Sequence, residues 1–207
     1  MARNLAGRFR LLAVTDDAVL DRADPVAACV AACRGGATVV QLRLKRASPR
    51  ELLALARALK AALPVPLLVN DRLDVALAAG ADGVHLGPED LPVARARAIA
   101  PDGFLIGSSV GSEAEAHAGR AEHADYWGVG PWRRTTTKAD AGEPLGPEAF
   151  QAIVALAGGR PCVAIGGVRP EDVPAIRAAG GAGVAVVSGI FGAAEVEAAA
   201  RRYSGER

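Results

Sequence analysis

Three polar side chains alternate at the end of an apolar run early in the chain. Gln41, Arg43 and Lys45 are each separated by one residue, so in a β-strand their side chains would point to the same side. Arginine offers a planar fork of N–H donors and lysine a compact positive charge, and both bind phosphate oxygens. The spacing therefore predicts an anion-binding site, although a solvated strand end would have the same residue types.

Two carboxylates follow the next two apolar runs. Asp71 comes directly after residues 66–70, and Asp90 follows residues 83–86. Mg²⁺ keeps several waters and usually takes one or two protein carboxylates together with substrate phosphates, so this pair beside the cationic residues suits a Mg²⁺–diphosphate complex. Either aspartate could instead cap the helix that follows it. The residues by themselves leave both interpretations open.

The second half of the chain offers donors for a separate phosphate group. Gly167 lies just after residues 162–165, and Val187-Ser188 ends the last apolar run. Unhindered backbone N–H groups after two neighbouring strands form a recurring phosphate site in eight-stranded α/β barrels. These residues predict a phosphate-binding cup.

The polar segment after residues 126–129 adds hydroxyl and ammonium groups. Thr135, Thr137 and Lys138 lie in a long stretch before the next helix signal. Loops of this length usually carry function or move, but Thr-rich loops are often only solvated. Ser109, after the fifth apolar run, adds a hydroxyl of low specificity.

Eight short apolar runs alternate with longer helix-compatible stretches along the chain, and the polar residues described above lie at or just after the ends of these runs. A strand that is apolar on both faces belongs in a parallel sheet covered by helices. Residues 48–62 are one predicted helix, with Ser48 and Glu51 placed for a capping box, and residues 169–179 are another. The predicted strands are residues 11–15, 38–43, 66–70, 83–86, 104–108, 126–129, 162–165 and 183–188.

Eight β/α units within 207 residues predict a single-domain α/β protein, a (β/α)₈ TIM barrel over residues 1–207. An open doubly wound sheet is built from the same units, but no G-x-G-x-x-G motif follows the first run. In a closed barrel the residues that follow the strands all lie at one end. The barrel would therefore bring the candidate side chains together.

Composition excludes several classes of partner. With 24 Lys and Arg against 23 Asp and Glu, the net charge of +1 gives no broad attraction to nucleic acid or acidic membranes. The first apolar run is too short for a signal peptide or a membrane span, so we expect a cytoplasmic protein. The three cysteines, Cys29, Cys33 and Cys162, lie in Ala- or Val-rich contexts and are predicted to be buried structural thiols.

Taken together, these motifs resemble the thiamine phosphate synthase family over nearly the whole chain. The resemblance implies a transferase that joins 4-amino-2-methyl-5-hydroxymethylpyrimidine diphosphate to 4-methyl-5-(2-phosphoethyl)thiazole with Mg²⁺, giving thiamine phosphate and diphosphate. It also implies dissociative chemistry, in which diphosphate leaves before the thiazole nitrogen attacks. The matching motifs are Gln41-x-Arg43-x-Lys45, Asn70-Asp71-Arg72-x-Asp74, Ala81-Asp-Gly-Val-His-Leu-Gly87 with Glu89-Asp90, Gly130-Pro131 with Thr135-x-Thr137-Lys138-x-Asp140, and Ala164-Ile-Gly-Gly167.

The resemblance also implies a role for each matching residue. Asp71 and Asp90 would hold Mg²⁺, and Lys138, Ser109 and Arg43 are the predicted catalytic residues. The predicted ligands of the pyrimidine diphosphate are Gln41, Arg43, Lys45, Asn70, Ser109 and Lys138. The predicted ligands of the thiazole phosphate are Thr135, Thr137, Gly167, Val187 and Ser188.

Dissociative chemistry needs cations and a metal near the leaving group but no strong nucleophile or general base. No Ser-His-Asp or Cys-His arrangement is therefore expected. The three histidines, His85, His117 and His123, are predicted to be structural or surface residues.

Two alternatives stay open. The thiazole tautomerase branch of the same superfamily uses a histidine just after the serine motif of strand five, where this chain has Gly111. That glycine counts against the tautomerase, and it also departs from many synthases. A non-catalytic phosphate-binding barrel is the second alternative, and the oligomeric state, including a homo-oligomer, is left open. The other departures from the family pattern are Leu44, Pro88, Arg133 and Arg134.

Overall fold

Eight parallel strands close into a barrel in chain order, and the last strand pairs with the first. The computed structural model describes residues 5–22, 24–117, 123–135 and 142–205. The predicted (β/α)₈ barrel is confirmed, and each of the eight predicted runs coincides with one strand, although β5 extends two residues beyond the predicted 104–108. The strands are β1 (Leu11–Val14), β2 (Val39–Leu42), β3 (Leu67–Asn70), β4 (Gly83–Leu86), β5 (Leu105–Val110), β6 (Tyr126–Val129), β7 (Cys162–Ile165) and β8 (Gly183–Val186).

Helices follow the strands and cover the outside of the barrel. They are α1 (Pro25–Arg34), α2 (Pro49–Ala62), α3 (Leu73–Ala79), α4 (Val93–Ile99), α5 (Glu113–His117), α6 (Gly146–Leu156), α7 (Val173–Ala178), α8 (Ser188–Phe191) and α9 (Val196–Ser204). Three 3₁₀ turns, Ala6–Phe9, Asp17–Asp21 and Pro170–Asp172, complete the described elements. Among the described residues, no helix combines the length and the apolar character needed to cross a membrane.

The capping box predicted for α2 is present. The Ser48 hydroxyl accepts a hydrogen bond from the Glu51 N–H at 3.3 Å, and the Glu51 carboxylate accepts one from the Ser48 N–H at 2.8 Å. Two backbone N–H groups at the start of the helix are thereby satisfied.

The helix predicted over residues 169–179 is interrupted at its start. A 3₁₀ turn, Pro170–Asp172, precedes α7. Pro174 is the second residue of α7 and has no N–H, so it cannot donate to the carbonyl of Pro170 as an α-helix would require. The first turn of this segment is therefore tighter than the pattern predicted.

Alternation along the strands divides the core into two layers. One layer, filled mainly from outward-facing strand positions and the helices, is the larger cluster of buried residues. The second layer fills the barrel interior, where Tyr126 is fully buried and stacks on Phe9 with 4.2 Å between ring centroids. Because side chains fill the interior, the barrel is closed below its mouth. The members of this inner cluster are Phe9, Leu12, Val14, Val39, Leu68, Leu105, Tyr126, Val163 and Ala185.

The cysteines carry no disulfide and are embedded in the protein. Cys29 and Cys162 are buried, and Cys33 is partly buried. Burial raises the pKa of Cys29 and of Cys162 to about 12 and that of Cys33 to about 11. These thiols stay protonated at neutral pH, in agreement with the structural role predicted for them.

Candidate active site

A cavity of about 400 Å³ lies at the carboxyl-terminal mouth of the barrel. It is lined by every predicted site residue that falls within the described part of the chain. Thr137 and Lys138 lie outside the described residues. The predicted residues that line the cavity are Gln41, Arg43, Lys45, Asn70, Asp71, Asp90, Ser109, Thr135, Gly167, Val187 and Ser188.

The cationic side of the cavity is positioned by the loop after β1. The buried hydroxyl of Thr15 accepts a hydrogen bond from the N–H of Arg43 at 2.9 Å and donates one to its carbonyl at 3.2 Å. The Asp17 carboxylate accepts hydrogen bonds from the N–H groups of Lys45 and Arg46, each at 3.1 Å. These contacts fix the backbone that follows β2, and therefore the positions from which the Arg43 and Lys45 side chains extend.

Two amide side chains meet at the base of the cavity. Gln41 is only 2% exposed, and its Nε2 donates to Asn70 Oδ1 at 3.0 Å. Each amide group fixes the orientation of the other, which leaves the Gln41 carbonyl and the Asn70 amino group available to a ligand. The pair lies on neighbouring strands, as the sequence predicted.

Asp71 and Asp90 face one another across the mouths of β3 and β4. Lys45 Nζ donates to Asp71 Oδ2 at 2.5 Å, and the Gly87 N–H donates to Asp90 Oδ2 at 2.7 Å. The two carboxyl groups lie close enough for each to shift the pKa of the other. Asp71 is also the single described non-glycine residue with positive φ, at 64°. That backbone conformation is rare for such residues and turns the Asp71 side chain toward the cavity.

The helix-cap interpretation of these two residues is not supported. Arg72 and Pro92 occupy the N-cap positions of α3 and α4, and neither cap makes a side-chain hydrogen bond. Asp71 instead accepts a hydrogen bond from Lys45, and Asp90 accepts one from the Gly87 N–H. Their placement is that of ligand-facing groups.

The pKa values of the Asp71 and Asp90 carboxyl groups are shifted in opposite directions. Burial acts to raise the pKa of Asp71, but hydrogen bonds from Lys45 and Asp90 and the Lys45 charge outweigh it and leave the pKa below its usual value. Burial raises the pKa of Asp90, and the hydrogen bond and charge of Asp71 raise it further. Two carboxylates so close together repel unless a proton or a cation lies between them.

The donor set fits Mg²⁺. Within the described ranges, no group of three or more His, Cys, Asp or Glu side chains could enclose a metal ion. A zinc site usually needs at least three such ligands, whereas Mg²⁺ is commonly held by one or two carboxylates, water and substrate phosphate. Asp71 and Asp90 match the second pattern.

The opposite side of the cavity is formed where the loops after β6 and β7 pack together. The Arg133 N–H donates to the carbonyl of Gly166 at 2.9 Å. A Cβ on Gly167 would lie 2.8 Å from the carbonyl oxygen of Arg134, and φ at Gly167 is 64°. Only glycine accommodates both the close contact and this backbone angle. The predicted phosphate cup therefore lies in a tightly packed turn.

Arg133 is one of the residues that depart from the family pattern, and it has a defined structural role. Its guanidinium makes two hydrogen bonds with the Asp172 carboxylate, at 2.9 and 2.6 Å. Asp172 is buried and also accepts from the Arg169 N–H at 2.9 Å. The Arg133 hydrogen bonds lower the pKa of Asp172 below its usual value. The pair ties the loop after β6 to the 3₁₀ turn that follows β7.

His85, predicted to be a structural or surface residue, lines the cavity. His117 and His123 are exposed. His85 is 8% exposed and lines the cavity, where its Nε2 lies 3.0 Å from Ser109 Oγ and its Nδ1 lies 2.8 Å from the Tyr126 hydroxyl. The strand period carried the missed signal, because an inward-facing polar residue near the carboxyl end of a barrel strand points to the site.

A (β/α)₈ barrel whose mouth combines cationic side chains, a carboxylate pair and a glycine-rich turn belongs to the class of barrel enzymes whose active sites lie at the carboxyl ends of the strands. The family model of thiamine monophosphate synthase matches residues 11–190. The chain therefore belongs to the thiamine monophosphate synthase family. The predictions of this family, of a transferase and of a place in thiamine biosynthesis are confirmed at that level.

Individual relatives support the same assignment. The thiamine-phosphate synthase of Methanoculleus marisnigri is 51% identical over 173 residues, which cover 82% of each chain. The thiamine-phosphate synthase of Herpetosiphon aurantiacus is 46% identical over 198 residues, covering 94% of this chain and 95% of the relative. Among solved structures, thiamine phosphate pyrophosphorylase from Pyrococcus furiosus has a TM-score of 0.85 at 35% identity, covering 97% of this chain and 96% of that one.

Proposed function

We propose that the protein condenses 4-amino-2-methyl-5-hydroxymethylpyrimidine diphosphate with 4-methyl-5-(2-phosphoethyl)thiazole, forming thiamine phosphate and releasing diphosphate. The observation that carries this proposal is the meeting of Lys45, Asp71 and Asp90 in one cavity whose opposite wall is the Gly167 turn. Such a mouth has a cation-and-carboxylate half for a diphosphate and a backbone half for a second phosphate.

The diphosphate half would hold the leaving group. Arg43 and Lys45 supply positive charge, and Asp71 and Asp90 are the residues that would hold Mg²⁺. When bound, Mg²⁺ would neutralise charge that builds up on the departing diphosphate. The Lys45 ammonium now paired with Asp71 would turn toward a phosphate oxygen when the carboxylates bind the metal.

The pyrimidine ring would lie deeper in the cavity, against the amide pair and the serine. Gln41 and Asn70 present a carbonyl and an amino group that match the donors and acceptors of an aminopyrimidine. Ser109 adds a hydroxyl from β5. We propose Arg43, Ser109 and Lys138 as the residues that act on the leaving group, with Lys138 outside the described residues.

The thiazole phosphate would bind on the opposite wall. Gly167, Val187, Ser188 and Thr135 line the cavity there. Their backbone N–H groups and the Thr135 hydroxyl would donate to the phosphate oxygens. Thr137, outside the described residues, would add a second hydroxyl. Binding by backbone amides favours a phosphate without a bound metal, in contrast to the other half.

We propose dissociative chemistry for the transfer. The bond from the pyrimidine methylene carbon to the diphosphate oxygen breaks, with its electron pair leaving on oxygen. The thiazole nitrogen lone pair then forms the new carbon–nitrogen bond. The charged groups of the cavity would stabilise the departing diphosphate. Among the described residues that line the cavity, no cysteine is available as a nucleophile.

The direct test is to incubate the purified protein with both substrates and Mg²⁺ and to measure thiamine phosphate and diphosphate. We expect both products in equal amounts and none without Mg²⁺. Absence of product would contradict the proposal and favour a non-catalytic barrel. A parallel assay for tautomerisation of the thiazole carboxylate phosphate should show no turnover, since Gly111 stands where the tautomerase histidine is expected and instead donates its N–H to Glu115 at 2.8 Å.

A further inference from the structure

A chain of three side chains runs from the barrel interior to the cavity. The Tyr126 hydroxyl lies 2.8 Å from His85 Nδ1, and His85 Nε2 lies 3.0 Å from Ser109 Oγ. Tyr126 is fully buried in the inner core and stacks on Phe9, while Ser109 lines the cavity. The three residues come from three successive strands, so the barrel itself sets their spacing.

The direction of the hydrogen bonds follows from the buried phenol. Burial raises the pKa of Tyr126, so its hydroxyl keeps its proton. Within the part of the chain that the structure describes, His85 Nδ1 is the hydrogen-bond partner of that hydroxyl. A buried O–H without an acceptor is costly, so the phenol donates to Nδ1. A neutral imidazole that accepts at Nδ1 carries its proton on Nε2.

Two glycines, Gly107 on β5 and Gly128 on β6, make room for this pair. A Cβ on Gly107 would lie 2.3 Å from Tyr126 Cε1 and 2.5 Å from His85 Nδ1. A Cβ on Gly128 would lie 3.1 Å from His85 Cε1. Packing this close restricts the imidazole to one ring orientation, and that orientation keeps Nε2 directed at Ser109.

We propose that Tyr126 and His85 are positioning residues that hold Ser109 as a hydrogen-bond donor to the ligand. The Nε2–H of His85 donates to Ser109 Oγ, which occupies a lone pair of that oxygen. The serine then directs its own proton into the cavity, toward a diphosphate oxygen or a pyrimidine nitrogen. The identity of this acceptor rests on the proposed function, whereas the tautomer of His85 does not.

The tautomer can be read without substrate. Long-range ¹H–¹⁵N correlation spectra of the ¹⁵N-labelled, ligand-free protein distinguish a protonated ring nitrogen from an unprotonated one. With three histidines in the chain, the His85 signals are those that disappear in His85→Gln. We expect a protonated Nε2 and an unprotonated Nδ1 in the native protein. A protonated Nδ1, or protons on both nitrogens, would overturn the proposal.

Tyr126→Phe keeps the ring that stacks on Phe9 and removes the donor to Nδ1. We expect the His85 tautomer to become mixed, because neither ring nitrogen is then fixed. Trp127→Phe is the matched control, since Trp127 is a buried aromatic residue of the same strand that does not line the cavity. It should leave the His85 spectrum unchanged.

Kinetics test the consequence for Ser109. Tyr126→Phe should lower kcat/KM for the pyrimidine diphosphate about tenfold, the effect of losing one well-placed hydrogen bond. The KM for the thiazole phosphate should not change. In the Ser109→Ala background, Tyr126→Phe should have no further effect, because the hydroxyl that it orients is absent.

The outcomes separate this inference from the proposed function. A native protein that gives no thiamine phosphate contradicts the proposed function, and the His85 spectrum still decides the tautomer. An active native protein with equal losses for Tyr126→Phe in the presence and absence of Ser109 would show a merely structural role. A folded Tyr126→Phe with unchanged spectrum and unchanged kcat/KM would also overturn the proposal.

Discussion

The hydroxyl of Thr15 accepts a hydrogen bond from the Arg43 N–H and donates one to the Arg43 carbonyl. One small side chain therefore fixes the backbone of Arg43, the first residue on the cationic side of the cavity. Thr38 makes the same pair of contacts with Leu11, each at 3.1 Å, at the opposite end of the barrel. The two threonines are therefore chemically matched, and only one of them adjoins the site.

We predict that Thr15→Val destabilises the protein by about 1–2 kcal/mol, because the partly buried N–H of Arg43 loses its acceptor. It should also lower kcat/KM for the pyrimidine diphosphate about tenfold through displacement of Arg43. Urea unfolding and steady-state kinetics measure the two effects. Thr38→Val should show a similar loss of stability with unchanged kinetics, and equal kinetic losses in both variants would contradict this assignment.

A second prediction concerns Asp90. Since its pKa is raised in the folded protein, the ionised carboxylate opposes folding at pH values above the unfolded-state pKa. Asp90→Asn removes that charge and keeps an oxygen for the Gly87 N–H. We expect the variant to unfold at the same or a higher temperature at pH 7, while its Mg²⁺-dependent kcat/KM falls about 10- to 100-fold.

Asp102→Asn is the control for Asp90→Asn, because Asp102 is an exposed carboxylate ahead of β5, at the other end of the barrel. It should change neither the melting temperature nor the Mg²⁺ dependence. If Asp90→Asn retained full activity with an unchanged Mg²⁺ requirement, Asp90 would not be a metal ligand.

At the scale of elements, the loops after β6 and β7 behave as one unit. Arg133 bonds the buried Asp172, and the Gly167 turn packs against the backbone of Arg133 and Arg134. The wall of the cavity that would bind the thiazole phosphate therefore depends on an ion pair outside the cavity.

We predict that Arg133→Met, which retains the aliphatic stem, destabilises the protein by about 1–2 kcal/mol at pH 7. The KM for the thiazole phosphate should rise, with little change in the KM for the pyrimidine diphosphate. The pKa of Asp172 is lowered in the native fold, so the stabilisation is present above the unfolded pKa and is lost as the pH falls through the folded value. Unfolding of both proteins between pH 7 and pH 2 should show their stabilities converging at the acidic end.

Arg34→Met provides the comparison, because Arg34 pairs with Glu197 on an exposed surface, where an ion pair contributes little. It should leave stability and both KM values nearly unchanged. A rise in both KM values for Arg133→Met would indicate general loss of the fold instead of a local displacement.

Strands and helices were predictable from the sequence where the residues of a single element carry its pattern of apolar and capping positions. Apolar runs located all eight strands, and the Ser48 cap located α2. Contacts between distant segments were not predictable in this way. The hydrogen bond between His85 and Ser109 joins residues 24 positions apart, and the bond from Arg133 to Asp172 joins residues 39 positions apart. Local sequence contains no signal for such pairs, because the barrel creates them.

At the scale of the whole molecule, closure of the barrel places the two halves of the site on facing walls. Lys45, Asp71 and Asp90 come from the loops after β2, β3 and β4, and Gly167 and Ser188 follow β7 and β8. No described residue of the first group contacts the second group by a hydrogen bond. The two ligands should therefore bind without competing for donors.

Thermal unfolding with each ligand tests this division of the mouth. At a ligand concentration of about 100 times Kd, binding contributes about 2.7 kcal/mol, which corresponds to roughly 5–10 °C in Tm for a domain of this size. We expect Mg²⁺ with inorganic diphosphate to raise Tm, the thiazole phosphate to raise it separately, and the two together to give nearly the sum in free energy. Asp90→Asn should abolish the first shift and preserve the second. A combined shift no larger than the greater of the two would mean that both ligands occupy the same phosphate site, and the division into two halves would be wrong.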